Sequence, residues 1–204
     1  SLGNIPTLVL SEGIQPILIE GDKYAGKPNP HLWMSPKRTM IYIDRIKNAF
    51  IKLDPQGKDL FEKNSNKYKE KLRKLDQELL KTINLIPRSK RVLVSCEGAF
   101  SYLANDYGLE EAYLWPVNAE SQVTPRRMLN LINFIKKREV PTVFCESTVS
   151  SKAQKEVARA SGAKFGGIFY VDSLSEADGP APTLLDLQRH NIGLILKGLN
   201  QNKI

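Results

Sequence analysis

The residues with most chemistry to offer are few: two histidines, two cysteines and some acidic residues placed just after apolar runs. His31 lies in Lys27-Pro28-Asn29-Pro30-His31-Leu32-Trp33-Met34-Ser35-Pro36, a turn stiffened by prolines and followed at once by a helical pattern. Proline fixes φ and pushes the residue before it towards extended geometry, so the imidazole is presented from a loop with little freedom. A metal ligand needs that positional control. Glu97, Glu146 and Asp172 each follow an apolar run, in Ser95-Cys96-Glu97-Gly98-Ala99-Phe100, Val143-Phe144-Cys145-Glu146 and Tyr170-Val171-Asp172-Ser173. An imidazole with two carboxylates is a borderline-to-hard donor set. It suits Mn²⁺, Fe²⁺ or Zn²⁺ better than Cu(I), which wants sulfur.

Plainer readings compete. A carboxylate just past a strand often caps a helix, and Glu146, followed by Ser147 and Thr148, fits that role best of the three. His190 falls within a helical pattern and reads as a helix-face residue. Cys96 and Cys145 each end an apolar run and are candidate neighbours at one sheet edge; whether they pair is open. Paired carboxylates also allow acid–base hydrolysis, but no Gly-x-Ser-x-Gly elbow or glycine-rich phosphate loop is present.

The elements that must position these groups follow from periodicity. Thr7-Leu8-Val9-Leu10 and Pro16-Ile17-Leu18-Ile19 read as a strand and a second extended segment. From Pro36, Met40, Ile43, Ile46, Phe50 and Leu53 share one helix face, with Ser35 as N-cap and Asp54-Pro55-Gln56-Gly57 as the break. A second helix is expected over Lys58–Asn84, where Phe61, Tyr68, Leu72, Leu75, Leu79 and Ile83 recur at helical spacing. At 1.5 Å per residue it spans on the order of 40 Å, long enough to run between two lobes. Beyond it come strands near residues 91–95, 112–115, 141–145 and 164–170. Between and after them lie helices near 99–107, from Thr124-Pro125 through Ile135, near 150–161 and near 183–199. That alternation predicts a parallel sheet covered by helices on both faces, with ligands at the carboxyl ends of the strands.

At 204 residues, 41% hydrophobic and 25% charged, the chain has the composition of a globular protein with room for one domain or two lobes. No apolar run of about 18 residues is present. The opening lacks Met and a basic-then-apolar leader, so a leader is expected to be absent or removed and the numbering to start inside a longer protein. Lysines of the long helix contribute to the net charge of +8 and are interleaved with Asp and Glu. A solvated helix face is the expected reading, not a nucleic-acid surface.

Asn29-Pro30-His31-Leu32-Trp33-Met34-Ser35-Pro36 resembles the DPHxWxxP segment of the TroA/ZnuA-like proteins, the metal-binding solute-binding proteins of manganese, zinc and iron ABC importers. Ser95-Cys96-Glu97-Gly98-Ala99-Phe100 resembles their SEGAF motif and Tyr170-Val171-Asp172-Ser173-Leu174 their TDSI segment. Ile19-Glu20-Gly21 and Leu10-Ser11-Glu12-Gly13-Ile14 resemble first-lobe strands. The resemblance implies two doubly wound α/β lobes joined by a long rigid helix, the first lobe truncated here. The domains would be 1–55, the remainder of the N-terminal lobe; 56–87, the linker helix; and 88–204, the C-terminal lobe. It also implies a metal held by His31, Glu97 and Asp172, with a further histidine upstream. No histidine-rich loop precedes the motif, and Glu97 stands in the third ligand position, so Mn²⁺ is expected over Zn²⁺. Zn²⁺ still competes by the affinity order.

The implied function is extracytoplasmic: capture of a divalent metal and delivery to an ABC permease, without catalysis. The protein would be periplasmic or a membrane-anchored lipoprotein, monomeric, with no nucleic-acid partner. The alternatives are a metal-dependent hydrolase, or a surface adhesin of the same fold. A metal must displace protons from its ligands, so affinity is expected to fall as pH drops.

Overall fold

The computed structural model describes residues 5–21, 23–118 and 123–200. Residues 1–4, on which the leader reading rested, and Asp22, ahead of the histidine motif, lie outside the described residues.

Helix α1 (Pro36–Leu53) starts where proline can occupy the first turn without losing a hydrogen bond. Ser35 is its N-cap by position only, because its hydroxyl donates to Asp106 Oδ2 at 2.7 Å. After the turn at Pro55–Gly57, which Asp54 caps through Gly57 N–H, α2 runs over Lys58–Asn84. Its two halves pack differently. The first lies along α1, with Lys69 Nζ 2.6 Å from Asp44 and the Phe50 and Phe61 rings 5.5 Å apart. The second buries Leu72, Leu75, Leu79 and Ile83 in the main core. Lys63, Lys67, Lys71 and Lys74 face solvent.

The strands and remaining helices alternate: β1 (Val92–Glu97), α3 (Ser101–Tyr107), β2 (Glu110–Trp115), α4 (Pro125–Arg138), β3 (Thr142–Glu146), α5 (Lys152–Ser161), β4 (Lys164–Phe169) and α6 (Leu184–Leu199). Thr124 and Thr183 accept from the backbone N–H three residues on, capping α4 and α6. Gly108 and Gly162 end α3 and α5 in the left-handed region. Successive strand side chains point to opposite faces, and the core divides accordingly. Leu93, Phe144 and Phe169 pack with α2, α3 and α6, whereas Val92, Val94, Val143 and Cys145 pack with α4 and α5. Helices therefore cover both faces, and the chain has a mixed α/β fold.

The sheet differs from one continuous ladder. β1 pairs with β2 and β3 with β4, both in parallel, as two two-stranded ladders. They meet side by side at β1 and β3, where side chains take over the joining. Cys96 and Cys145 form a disulfide with their Cα atoms 4.8 Å apart, the ordinary spacing between neighbouring strands. Gln154 Nε2 donates to both Ser95 O and Phe144 O at 3.0 Å, one carbonyl from each ladder.

The N-terminal strands are not formed. Residues 5–9 have no regular structure and residues 10–13 make a turn; the one bridge there pairs Leu18 with Pro28, antiparallel. Strands need ladder partners, and Ile5, Leu8, Val9 and Leu18 are exposed.

Candidate functional site

Asn29, buried beside Gly98, sets the geometry of the histidine. Its Nδ2 donates to Gly98 O at 2.7 Å and its Oδ1 accepts from the His31 backbone N–H at 3.0 Å. A carbonyl can only accept and a backbone N–H can only donate, so the amide has one possible orientation. The same Oδ1 lies 2.9 Å from His31 Nδ1, which must therefore carry the proton. Nε2 is left with its lone pair, as a metal donor requires. Gly98 leaves room for the Tyr113 ring, which would lie 2.9 Å from a Cβ there.

His31 Nε2 faces Asp172 Oδ2 at 3.6 Å. Two donors about 2.1 Å from one tetrahedral ion lie roughly 3.4 Å apart, so the pair stands at ligand separation. His31 is 2% exposed and the Asp172 side chain 43%, which makes Asp172 the solvent-facing partner. The segment carrying Asp172 is fixed from two sides. Asn191 clamps Tyr170, accepting from its N–H at 3.0 Å and donating to its carbonyl at 2.6 Å, and Trp33 Nε1 donates to Val171 O at 3.2 Å. Beside Asp172 a depression of ≈ 390 Å³ is lined by Trp33, Val171, Leu174, Leu184 and Leu187 among others.

Glu97, at the carboxyl end of β1, is buried and its Oε1 accepts from Asn118 N–H at 2.9 Å. It is not gathered with His31 and Asp172 as tightly as they are with each other. Among the described residues, the metal-ligating trio whose atoms lie within 4.8 Å of one another is Cys96, Cys145 and Glu146. Its cysteines are consumed by the disulfide. Glu146 is not a helix cap: its Oε2 accepts from Glu97 N–H at 3.2 Å, bracing the Glu97 backbone. Burial pushes the Glu146 carboxyl up to about 8; the nearby Glu97 charge adds to the rise and backbone N–H groups oppose it. His190 is a helix-face residue, its Nε2 2.9 Å from Ile168 O and its ring edge-on to Tyr170.

Glu111, which nothing in the sequence singled out, sits behind Asn29. Burial pushes its carboxyl up, while hydrogen bonds from Ser101 and Phe100 N–H and the proximity of His31 pull it back.

Compared with known proteins, residues 1–198 match the family described as zinc-uptake complex component A, periplasmic (ZnuA). The chain belongs to this family. Among its relatives, the iron-binding protein YfeA of Yersinia pestis is 43% identical over 201 residues, covering 98% of this chain and 65% of YfeA. The manganese ABC transporter substrate-binding lipoprotein PsaA of Streptococcus pneumoniae is 35% identical, over 94% of this chain and 62% of PsaA. The chain thus spans somewhat less than two thirds of these relatives. Among solved structures, the manganese-bound periplasmic metal-binding protein of Candidatus Liberibacter asiaticus superposes with a TM-score of 0.85 at 40% identity, covering 94% of this chain and 70% of that one. The periplasmic zinc-binding protein TroA of Treponema pallidum gives 0.84 at 26% identity, over 97% and 73%. PsaA is thus a substrate-binding lipoprotein of an ABC transporter, and TroA and the Liberibacter protein are periplasmic metal-binding proteins.

Proposed function

We propose that this chain captures a divalent transition metal outside the cytoplasm, with Mn²⁺ rather than Zn²⁺ as its physiological cargo although Zn²⁺ competes for the site, and delivers it to the permease of an ABC importer. The metal is cargo, held by His31, Glu97 and Asp172. The observation that carries the reading is the His31–Asp172 pair: a buried imidazole with a fixed Nε2 lone pair, 3.6 Å from a solvent-facing carboxylate. Glu97 is buried at the end of β1 with its backbone already braced. Residues 1–55 belong to a first lobe, 56–87 to the linker helix and 88–204 to a second lobe. The change of partner halfway along α2 supports that division.

Calorimetric titration of chelator-stripped protein with Mn²⁺ and then Zn²⁺ tests the reading. One-to-one binding, lost in Asp172→Ala and His31→Ala, is the expected result. Zn²⁺ is expected to displace Mn²⁺, following the general affinity order for such donors. Heatless titrations with both ions, or variants that bind as well as the parent, would overturn it.

A further inference from the structure

The hydrogen bonds behind His31 do not stop at Asn29. Asn29 Nδ2 also donates to Ser101 Oγ at 3.2 Å, and that hydroxyl donates its proton to Glu111 Oε2 at 2.6 Å. The other carboxyl oxygen, Oε1, accepts from Phe100 N–H at 2.9 Å, which fixes Glu111 across the start of α3. From His31 Nδ1–H to Asn29, from Asn29 to Ser101 and from Ser101 to Glu111, every donor points the same way. Bonds aligned in this manner polarise one another, and here all of them run towards one carboxylate. An acceptor on a histidine's second ring nitrogen fixes the tautomer and strengthens the opposite nitrogen as a donor. Here Asn29 is that acceptor, and the carboxylate at the far end of the chain holds the amide in place through Ser101.

We infer that Glu111 is a positioning residue of the metal site, holding His31 as an Nε2 donor through Ser101 and Asn29. The inference rests on the metal-capture reading above. Glu111 touches neither His31 nor the ion it would hold, and it stands on β2, a different element from every proposed ligand. Glu111, Asn29 and Ser101 line one cavity of ≈ 250 Å³, which neither His31 nor Asp172 lines. A packing role alone would need only the shape of the side chain. The positioning role needs an acceptor at each end of the chain and a hydroxyl between them.

The experiment uses the full chain with Glu111→Gln, Ser101→Ala and Ser101→Thr. Nitrogen-15 NMR of the metal-free protein reads the tautomer of His31, with His190 as the second, internal histidine signal. Calorimetry with Mn²⁺ and with Zn²⁺ reads affinity. The parent is expected to show a single tautomer protonated at Nδ1. Glu111→Gln and Ser101→Ala are expected to show a tautomer mixture and binding weakened about tenfold, within the range such outer contacts usually carry. Ser101→Thr, which keeps the hydroxyl, is expected to match the parent in both. Unchanged tautomers in Glu111→Gln and Ser101→Ala, or weakened binding without a change of tautomer, would overturn the inference. If Glu111→Gln fails to fold, the Ser101 pair decides the question alone. If the parent binds neither metal, the metal-capture reading fails, while the tautomer measurement still settles whether Glu111 positions His31.

Discussion

Asp106 shows how much one side chain outside the proposed ligand set contributes to holding the histidine loop in place. Its carboxylate accepts from Arg38 Nε at 2.9 Å, Arg38 Nη2 at 2.8 Å and Ser35 Oγ at 2.7 Å, joining the start of α1 to the end of α3. Burial alone would raise the Asp106 carboxyl, but the Arg38 and Ser35 hydrogen bonds outweigh it and hold it below the usual carboxylate range. A carboxyl depressed in the folded state stabilises above its unfolded value of about 3.9, and that stability is lost as pH falls through the lower folded value. Asp106→Asn keeps the volume and removes the charge. It should cost about 2 kcal/mol at neutral pH, as charge-assisted hydrogen bonds of this kind do. That corresponds to a melting temperature lower by roughly 4 to 8 °C for a chain of this size. Melts across the acid range check it: variant and parent should converge as pH falls below about 4. Parallel curves would show that the carboxylate is not the acid-sensitive group.

At the scale of elements, the seam between the ladders carries a larger share of the stability. The disulfide closes a loop with a sequence separation of 49, and loop-closure entropy for that length is worth roughly 4 kcal/mol at 25 °C. Replacing both Cys96 and Cys145 with Ala should lower the melting temperature by roughly 8 to 16 °C, read by calorimetry without reductant. Leu79→Ala, at a fully buried position where α2 enters the core, should cost about 2 to 5 kcal/mol through the cavity it leaves. Helices and strands were largely legible because apolar spacing marked them, as over Lys58–Asn84, and because the Thr-Pro start of α4 and the Gly stops of α3 and α5 bounded others. The seam was not: the pairing of Cys96 with Cys145 and the reach of Gln154 to Ser95 depend on which strands become neighbours, and periodicity says nothing of that. The run at residues 7–10 failed for the opposite reason, since a short apolar run becomes a strand only where a partner exists. At the site, His31 and Asp172 were legible from loop context. Asn29, Ser101 and Glu111 were not, because hydrogen bonds across 69 and 72 residues leave no local signature.

Across the whole molecule, one face of α6 ties the two halves of the proposed site together. Gln188 Nε2 donates to Trp33 O at 2.6 Å and to Thr39 Oγ1 at 2.9 Å, holding the loop that carries His31. Asn191, three residues on and so on the same helix face, clamps Tyr170 next to the Asp172 segment. α6 thus grips both loops, while Trp33 Nε1 joins them directly at Val171 O, and the 3.6 Å spacing of His31 and Asp172 is held by both. A protein with the spacing already set gives up little ordering entropy when a metal binds, and that pre-organisation appears as affinity. Gln188→Ala releases one grip only: the Trp33 carbonyl keeps the Thr39 hydroxyl as a donor, and losing the two Gln188 hydrogen bonds should cost about 1 to 3 kcal/mol in the metal-free protein. A metal at a hundred times its dissociation constant stabilises the parent by about 2.7 kcal/mol, a gain of roughly 5 to 11 °C. At the same metal concentration Gln188→Ala should gain less than the parent, because its loop must be ordered on binding. An equal gain from a lower starting temperature would mean that Gln188 only packs α6 and that the spacing of the two donors is set elsewhere.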